Sequence, residues 1–121
     1  MKKTASKGAE RRKFSRFKYF DIIRLSSESG AFLGGSPTLV NVSLGGLCFY
    51  CNDRLKLNDR ISVSIHISRF HCVVKSYARV AWTQASTEHA GVFFTGVEFV
   101  GLDETDRDVI RRLEKARRGK R

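Results

Sequence analysis

Two short segments carry side chains that could do chemistry. The first is Arg11-Arg12-Lys13-Phe14-Ser15-Arg16, with Arg12 and Arg16 four residues apart. A guanidinium presents five N–H donors in a planar fork. The fork pairs bidentately with phosphate and with the O6/N7 edge of guanine, and it stacks on a base. Arg11 adds a third fork; lysine would supply the charge without the geometry. The second segment is Asn41-Val42-Ser43-Leu44-Gly45-Gly46. The Asn41 amide can both accept from and donate to a base edge, and Ser43 adds a hydroxyl. Gly45 and Gly46 permit positive φ and close backbone approach, and a polar turn at a strand end can present N–H groups to an anion. Singly, a basic N-terminus reads as a solvated or nucleic-acid-seeking tail, and Asn-x-Ser with glycines as a hairpin. In this order, ahead of a β-rich body, they predict a clamp for an anionic ligand carrying planar, hydrogen-bonding rings.

The elements that must position this clamp are mostly strands. Residues 18–26 read as a first strand with imperfect alternation. Residues 29–37 form a Gly/Ser/Pro-rich connection. Residues 38–43 read as a strand ending in a turn, and 47–51 begin the next. Residues 60–68 alternate most cleanly: Ile61, Val63, Ile65 and Ile67 on one face, Ser62, Ser64, His66 and Ser68 on the other, a half-buried antiparallel strand. Residues 70–84 read as two more alternating stretches, and 91–100 as a last strand. Six or seven short strands with turns between suggest a barrel or sandwich. The period then changes. Asp103 can cap a helix over 104–117, with Val109, Ile110, Leu113 and Ala116 as its apolar stripe. The basic residues on its other faces suit the negative end of the helix dipole and read as a solvated face, with Gly119 as terminator.

A chain of 121 residues is one domain able to bury a core without disulfides or metal. The formal net charge of +11 is unevenly spread. Residues 1–18 carry +7, residues 107–121 carry +6, and the body between carries −2. Near-neutrality of the body argues against a broad basic face that tracks a nucleic-acid backbone. Residues 1–10 are polar and lysine-rich, the composition of a flexible tail, and 119–121 form a short basic tail. No run has signal-peptide or membrane-spanning length, and three cysteines are an odd number. The expectation is a cytoplasmic protein with reduced thiols.

These residues resemble the PilZ family, whose members bind the bacterial messenger cyclic di-GMP. Its pattern is Arg-x-x-x-Arg in an N-terminal loop followed by Asp/Asn-x-Ser-x-x-Gly, matched here by Arg12 to Arg16 and by Asn41 to Gly46. The resemblance continues through Gly45-Gly46-Leu47-Cys48-Phe49, Arg79-Val80-Ala81-Trp82 and Gly96-Val97-Glu98-Phe99, over about residues 10–113. It implies a mainly β fold: a six-stranded antiparallel barrel over 11–118, with a C-terminal helix at about 103–118 and a flexible basic N-terminal arm. It further implies that Arg12 and Arg16 hold guanine and phosphate. Asn41 and Ser43 would contact the base edge, and Gly46 would shape the turn. Arg11 sits at the extra basic position of members that bind two stacked ligands. The implied protein is a non-catalytic receptor whose arm orders on the ligand and then meets a protein partner, as monomer or dimer. Motility, biofilm, polysaccharide and virulence are the outputs the family implies.

Other signals carry less. Cys48-x-x-Cys51 is half a zinc site, but positions three apart in a strand point to opposite faces and zinc wants four convergent ligands. No nucleophile elbow, phosphate-gripping lysine loop or acidic pair is present, so no enzyme and no cofactor are expected. Trp82 and the phenylalanines alternate with polar residues and read as core. Two rival readings remain: a small nucleic-acid-binding barrel using its basic tails, and a PilZ-like scaffold that binds only proteins.

Overall fold

The computed structural model describes residues 17–19 and 21–119. The tail 1–10 and Arg11, Arg12 and Arg16 lie outside the described residues, as do residues 120 and 121. Among the described residues eight strands form one antiparallel sheet: β1 (Phe17–Lys18), β2 (Ile23–Ser26), β3 (Phe32–Leu33), β4 (Thr38–Val42), β5 (Gly46–Cys51), β6 (Arg60–Ile67), β7 (Cys72–Ala85) and β8 (Phe93–Val100). Their spatial order is β1-β4-β5-β8-β7-β6-β2-β3. One helix follows, α1 (Glu104–Gly119).

The mainly β, antiparallel architecture with a C-terminal helix is as expected; the strand count and closure differ. Two of the eight strands are only two residues long, and one of them, β3, lies inside the Gly/Ser/Pro-rich connection and pairs Leu33 with Leu25. The sheet curls without a closing ladder. Among the described residues its two sides meet at the isolated bridge Ile22↔Thr38 and through the Asn52 N–H, which donates to the Gly34 carbonyl at 2.9 Å. The stretch 70–84 is one long strand rather than two. β6 pairs with its first half and β8 with its second.

The alternation in β6 translates directly into packing. Ile61, Val63, Ile65 and Ile67 are all buried, with Leu25, Leu39, Leu47, Phe49, Val74 and Val80, in one core. Such side chains each contribute about 1.5–3 kcal/mol through burial. Helix α1 adds Ile110 and Leu113 to this core, beside Leu102. Asp103 Oδ1 accepts the Asp106 N–H at 2.9 Å, the N-cap bond that starts the helix. Arg111 pairs with Asp108 at 2.7 Å and Glu104 at 3.3 Å, and Arg112 lies over the Phe70 ring at 4.8 Å. These two cations of the helix are therefore engaged within the domain.

Asp21 explains the break in the first predicted strand. Its carboxylate accepts from Tyr19 Oη at 2.6 Å, the Ile22 N–H at 2.8 Å, and the Ser68 N–H and hydroxyl at 2.9 and 3.0 Å. Burial alone would push this carboxyl up, but these donors outweigh it and hold it below the usual range. A depressed carboxylate contributes stability that is present above its unfolded value, about 3.9, and lost as pH falls through the folded value. Asp21→Asn should therefore be less stable at pH 7 by about 1–2 kcal/mol, a figure reduced from that of buried charged bonds for its partial exposure. The gap should narrow below about pH 4. Urea unfolding at pH 7 and pH 3 checks this; an equal gap at both would assign Asp21 no linked proton.

Candidate functional site

The Asn41–Gly46 segment comprises the end of β4, the turn 43–45 and the start of β5. The Ser43 N–H donates to the Gly46 carbonyl at 2.8 Å, and the Ser43 hydroxyl accepts the Gly45 N–H at 3.0 Å. Ser43 is 5% exposed, and its Oγ–H points back to the Gly46 carbonyl at 3.4 Å. Its hydroxyl thus holds the turn and keeps one lone pair unspent. The Phe99 N–H donates to the Gly45 carbonyl at 2.9 Å, which clamps the turn to β8. Gly46 is pressed against that strand: a Cβ there would run into the Val97 carbonyl and stand 3.0 Å from Glu98 Cα.

Two β-bulges decide which side chains share a face with this turn. In β4 the register shifts between Leu39 and Asn41. In β7 it shifts between Val80 and Trp82. Each inserts one residue, Val40 and Ala81, and so reverses the parity of the residues after it. Leu39 and Val42 can then both be buried in the core, while Asn41 turns outward. Val80 stays in the core and Trp82 turns outward in the same way. The paired positions run Lys18–Asn41–Cys48–Gly96–Trp82, one transverse row across β1, β4, β5, β8 and β7. From Asn41 to Trp82 is three inter-strand steps, roughly 14 Å.

The row has a definite chemistry. Gly96 lacks the Cβ that would stand 2.7 Å from Trp82 Cζ2, so the indole lies down onto the strand. Trp82 meets Phe94 edge-on at 5.1 Å, and Phe94 meets Tyr50 at 4.8 Å, an aromatic surface suited to flat rings. Asn41 Oδ1 is buried and finds no hydrogen-bond partner among the described residues. An orphaned buried acceptor is uncommon in a folded domain and calls for an explanation. In the next row, Glu98 lies opposite Gly46 and Arg79. Arg79 binds Glu98, and it donates to Asn58 Oδ1 at 2.6 Å. This carboxylate beside the turn is thereby paired with a cation, which offsets its repulsion of an anion.

The arginine segment joins this site covalently. Arg16 is bonded to Phe17, and Phe17 pairs with Val42 while Lys18 pairs with Asn41. The first described residues after the arginines thus lie beside the turn. A groove of about 480 Å³ at the seam between β2–β3 and β4 is lined by Ile22, Arg24, Phe32, Pro37 and Thr38, and no residue of the row lines it. Cys48 and Cys51 are both buried, Cys48 in the row and Cys51 in the core. No cluster of three metal-capable side chains occurs among the described residues.

A family model for the PilZ domain matches residues 10–115, almost the whole chain. The chain belongs to the PilZ family. Among solved structures, this PilZ domain is similar to the Bacillus subtilis inhibitor of motility, MotI/DgrA, with TM-score 0.77 at 13% identity over 92% of this chain and 53% of that one. It is similar to the PilZ domain of YcgR from Escherichia coli, solved with c-di-GMP, with TM-score 0.69 at 15% identity over 91% and 96%. YcgR in complex with c-di-GMP gives TM-score 0.72 at 17% identity over 91% and 49%. The chain therefore spans about half the length of MotI and of the longer YcgR chain. At these identities the likeness is one of fold. Comparison with curated proteins gives no match.

Of the expected site residues, Asn41, Ser43 and Gly46 come together at one turn, and Arg11, Arg12 and Arg16 lie outside the described residues. Trp82, read from sequence as core, is half-buried on the outer face instead, because the bulge at Ala81 reverses its direction. Gly96 on the neighbouring strand was the available signal: a glycine inside a strand marks a close approach.

Proposed function

We propose that this chain is a receptor for cyclic di-GMP that binds without catalysis. The observation that carries this reading is the orphaned Asn41 acceptor, set in one row with the Trp82 indole beside the strand that Arg16 enters. Asn41 receives a hydrogen bond from the guanine Watson–Crick edge. Trp82 and Phe94 supply a face for stacking. Arg12 and Arg16 grip phosphate and the guanine O6/N7 edge, and Arg11 supports a second stacked ligand. Ser43 and Gly46 hold the turn that aims Asn41. The two YcgR structures, which contain c-di-GMP, support the ligand class.

The arm carries several like charges, and the ligand's two phosphates neutralise it and draw it onto the sheet. The remade surface meets a protein partner in the cytoplasm, with motility, biofilm, polysaccharide or virulence as the output. No helix among the described residues is long and apolar enough to cross a membrane. Trp82 gives the test its own probe. Cyclic di-GMP should change Trp82 fluorescence saturably in the micromolar range or below, and cyclic di-AMP should not. Trp82 is the sole tryptophan, so the signal has one source. An unchanged spectrum at saturating ligand would remove Trp82 from the site, and absence of binding by calorimetry as well would refute the receptor reading. The arm mechanism has its own check: trypsin cleavage at Arg11–Arg16 should slow when ligand is added, and an unaltered rate would exclude ordering.

A further inference from the structure

We infer that the outward face of β6, between β2 and the first half of β7, is a docking trough for a short acidic amphipathic helix of a partner protein. The trough follows from the β6 alternation. Ile61, Val63, Ile65 and Ile67 point into the core, so Ser62, Ser64 and His66 point outward. Register then sets their neighbours. Ser62 stands beside Tyr77, Ser64 between Arg24 and Lys75, and His66 beside Val73. On its other side the His66 N–H donates to the Ile22 carbonyl at 2.9 Å. Small serines therefore form a floor, and larger side chains form two walls. The floor is half-buried, whereas Ile22 and Arg24 on one wall and Val73, Lys75 and Tyr77 on the other are exposed. The walls are two inter-strand steps apart, about 10 Å, and an α-helix with its side chains is about 10–12 Å across. From Arg60 to His66 the floor runs roughly 20 Å, the length of about 13 helical residues.

The walls define the chemistry of the occupant. Seven large hydrophobic side chains are exposed among the described residues, and five of them, Ile22, Phe32, Val73, Tyr77 and Val100, lie on this face. Clustered exposure of that kind marks an interaction surface, where scattered exposure would not. The charge beside it is of one sign. Arg60 lies over the Tyr77 ring at 4.4 Å and Arg24 over the Phe32 ring at 6.0 Å. Each ring steadies a guanidinium and leaves its N–H edge for a carboxylate. Arg24, Arg60 and Lys75 have no ion-pair partner among the described residues. Glu98 is already engaged by Arg79, and Asp21 by Tyr19, Ile22 and Ser68. A helix with an apolar stripe and flanking carboxylates complements this surface in shape and in charge. A second copy of the chain does not, since it would set like charges face to face. Nucleic acid fits less well: each ring already carries a guanidinium where a base would stack, and Ile22, Val73 and Val100 offer nothing to phosphate.

The trough is complete without a cyclic dinucleotide, so the test omits one and its outcome is independent of the receptor reading. The probe is a labelled helical peptide of about 14 residues with leucine at i, i+3, i+4 and i+7 and glutamate on the flanks of that stripe. The controls are the same peptide with lysine for glutamate and a single-stranded oligonucleotide of equal charge. By fluorescence anisotropy the glutamate peptide should bind the full chain with a Kd of roughly 100 μM or tighter, and the lysine peptide at least about tenfold more weakly. Because the basic termini attract any anion, the variants are decisive. Arg24→Glu combined with Arg60→Glu should weaken the glutamate peptide by about tenfold or more. Ser64→Tyr, which fills the floor, should do the same, and the arginine pair carries the test should Ser64→Tyr fail to fold. No binding of the glutamate peptide, equal binding of the two peptides, or binding unchanged by the arginine pair would overturn the inference. So would an oligonucleotide that binds more tightly and is lost in the arginine pair, or a concentration-dependent dimer that the arginine pair abolishes; these would assign the face to nucleic acid or to a second copy.

Discussion

Arg16→Ala will weaken cyclic di-GMP binding by about a hundredfold while leaving thermal unfolding where it was. Truncating one partner of a hydrogen-bonded charge pair at a binding site removes about 2–5 kcal/mol, or roughly 30- to 5,000-fold in Kd. The domain should tolerate the change because its core is built from residues 23–113, downstream of the arm. Arg16→Lys should recover only a small part of the loss, since an ammonium restores the charge without the planar fork. Titrations of both variants against the wild type check this. Binding within threefold of the wild type in Arg16→Ala would show that the arm is a solvated tail. Salt dependence then separates the rivals. A specific dinucleotide site releases few counterions, whereas the basic tails gripping nucleic acid would give a steep negative slope of affinity with salt.

Gly46→Ala should be strongly destabilising. Its Cβ would fall on the Val97 carbonyl and close to Glu98 Cα, and β8 cannot retreat because β7 is paired along its other side. Overpacking against backbone in a central strand should destabilise by about 3 kcal/mol. For a domain of this size that lowers Tm by more than about 10 °C. Gly96→Ala makes the informative contrast. There the obstacle is the Trp82 side chain, which can swing away, so unfolding should shift by only about 1–2 kcal/mol while ligand binding suffers. A Gly46→Ala protein melting with the wild type would mean that β5 and β8 are not packed this closely.

The sequence is legible wherever a regular period runs undisturbed. In β6 the Ile/Ser alternation and the buried face coincide residue for residue. The helix was legible from Asp103 and the spacing of Ile110 and Leu113, and both the cap and the burial are present. The β3 pair was not, because Phe32 and Leu33 sit between glycines and Phe32 is 75% exposed. The site was half legible. Asn41, Ser43 and Gly46 were singled out by residue type and spacing, and the structure places them at one turn; the direction of Asn41 and Trp82 was not legible. Counting by twos from Val74 puts position 82 inward with Val80; the extra residue Ala81 turns it out. A bulge has no composition of its own, and in this chain two of them assemble the row.

In the proposed complex the ligand lies across the Asn41–Trp82 row with the arginine arm over it. Amide and indole chemical-shift mapping on the labelled full chain tests it most directly. On adding cyclic di-GMP, the largest changes should fall on the Asn41 side chain, the amides of Ser43 to Gly46, Gly96 and the Trp82 indole N–H, with His66 and Val73 on the far strands unmoved. Saturable shifts clustered instead at the seam around Ile22 and Phe32, or along α1, would contradict the account.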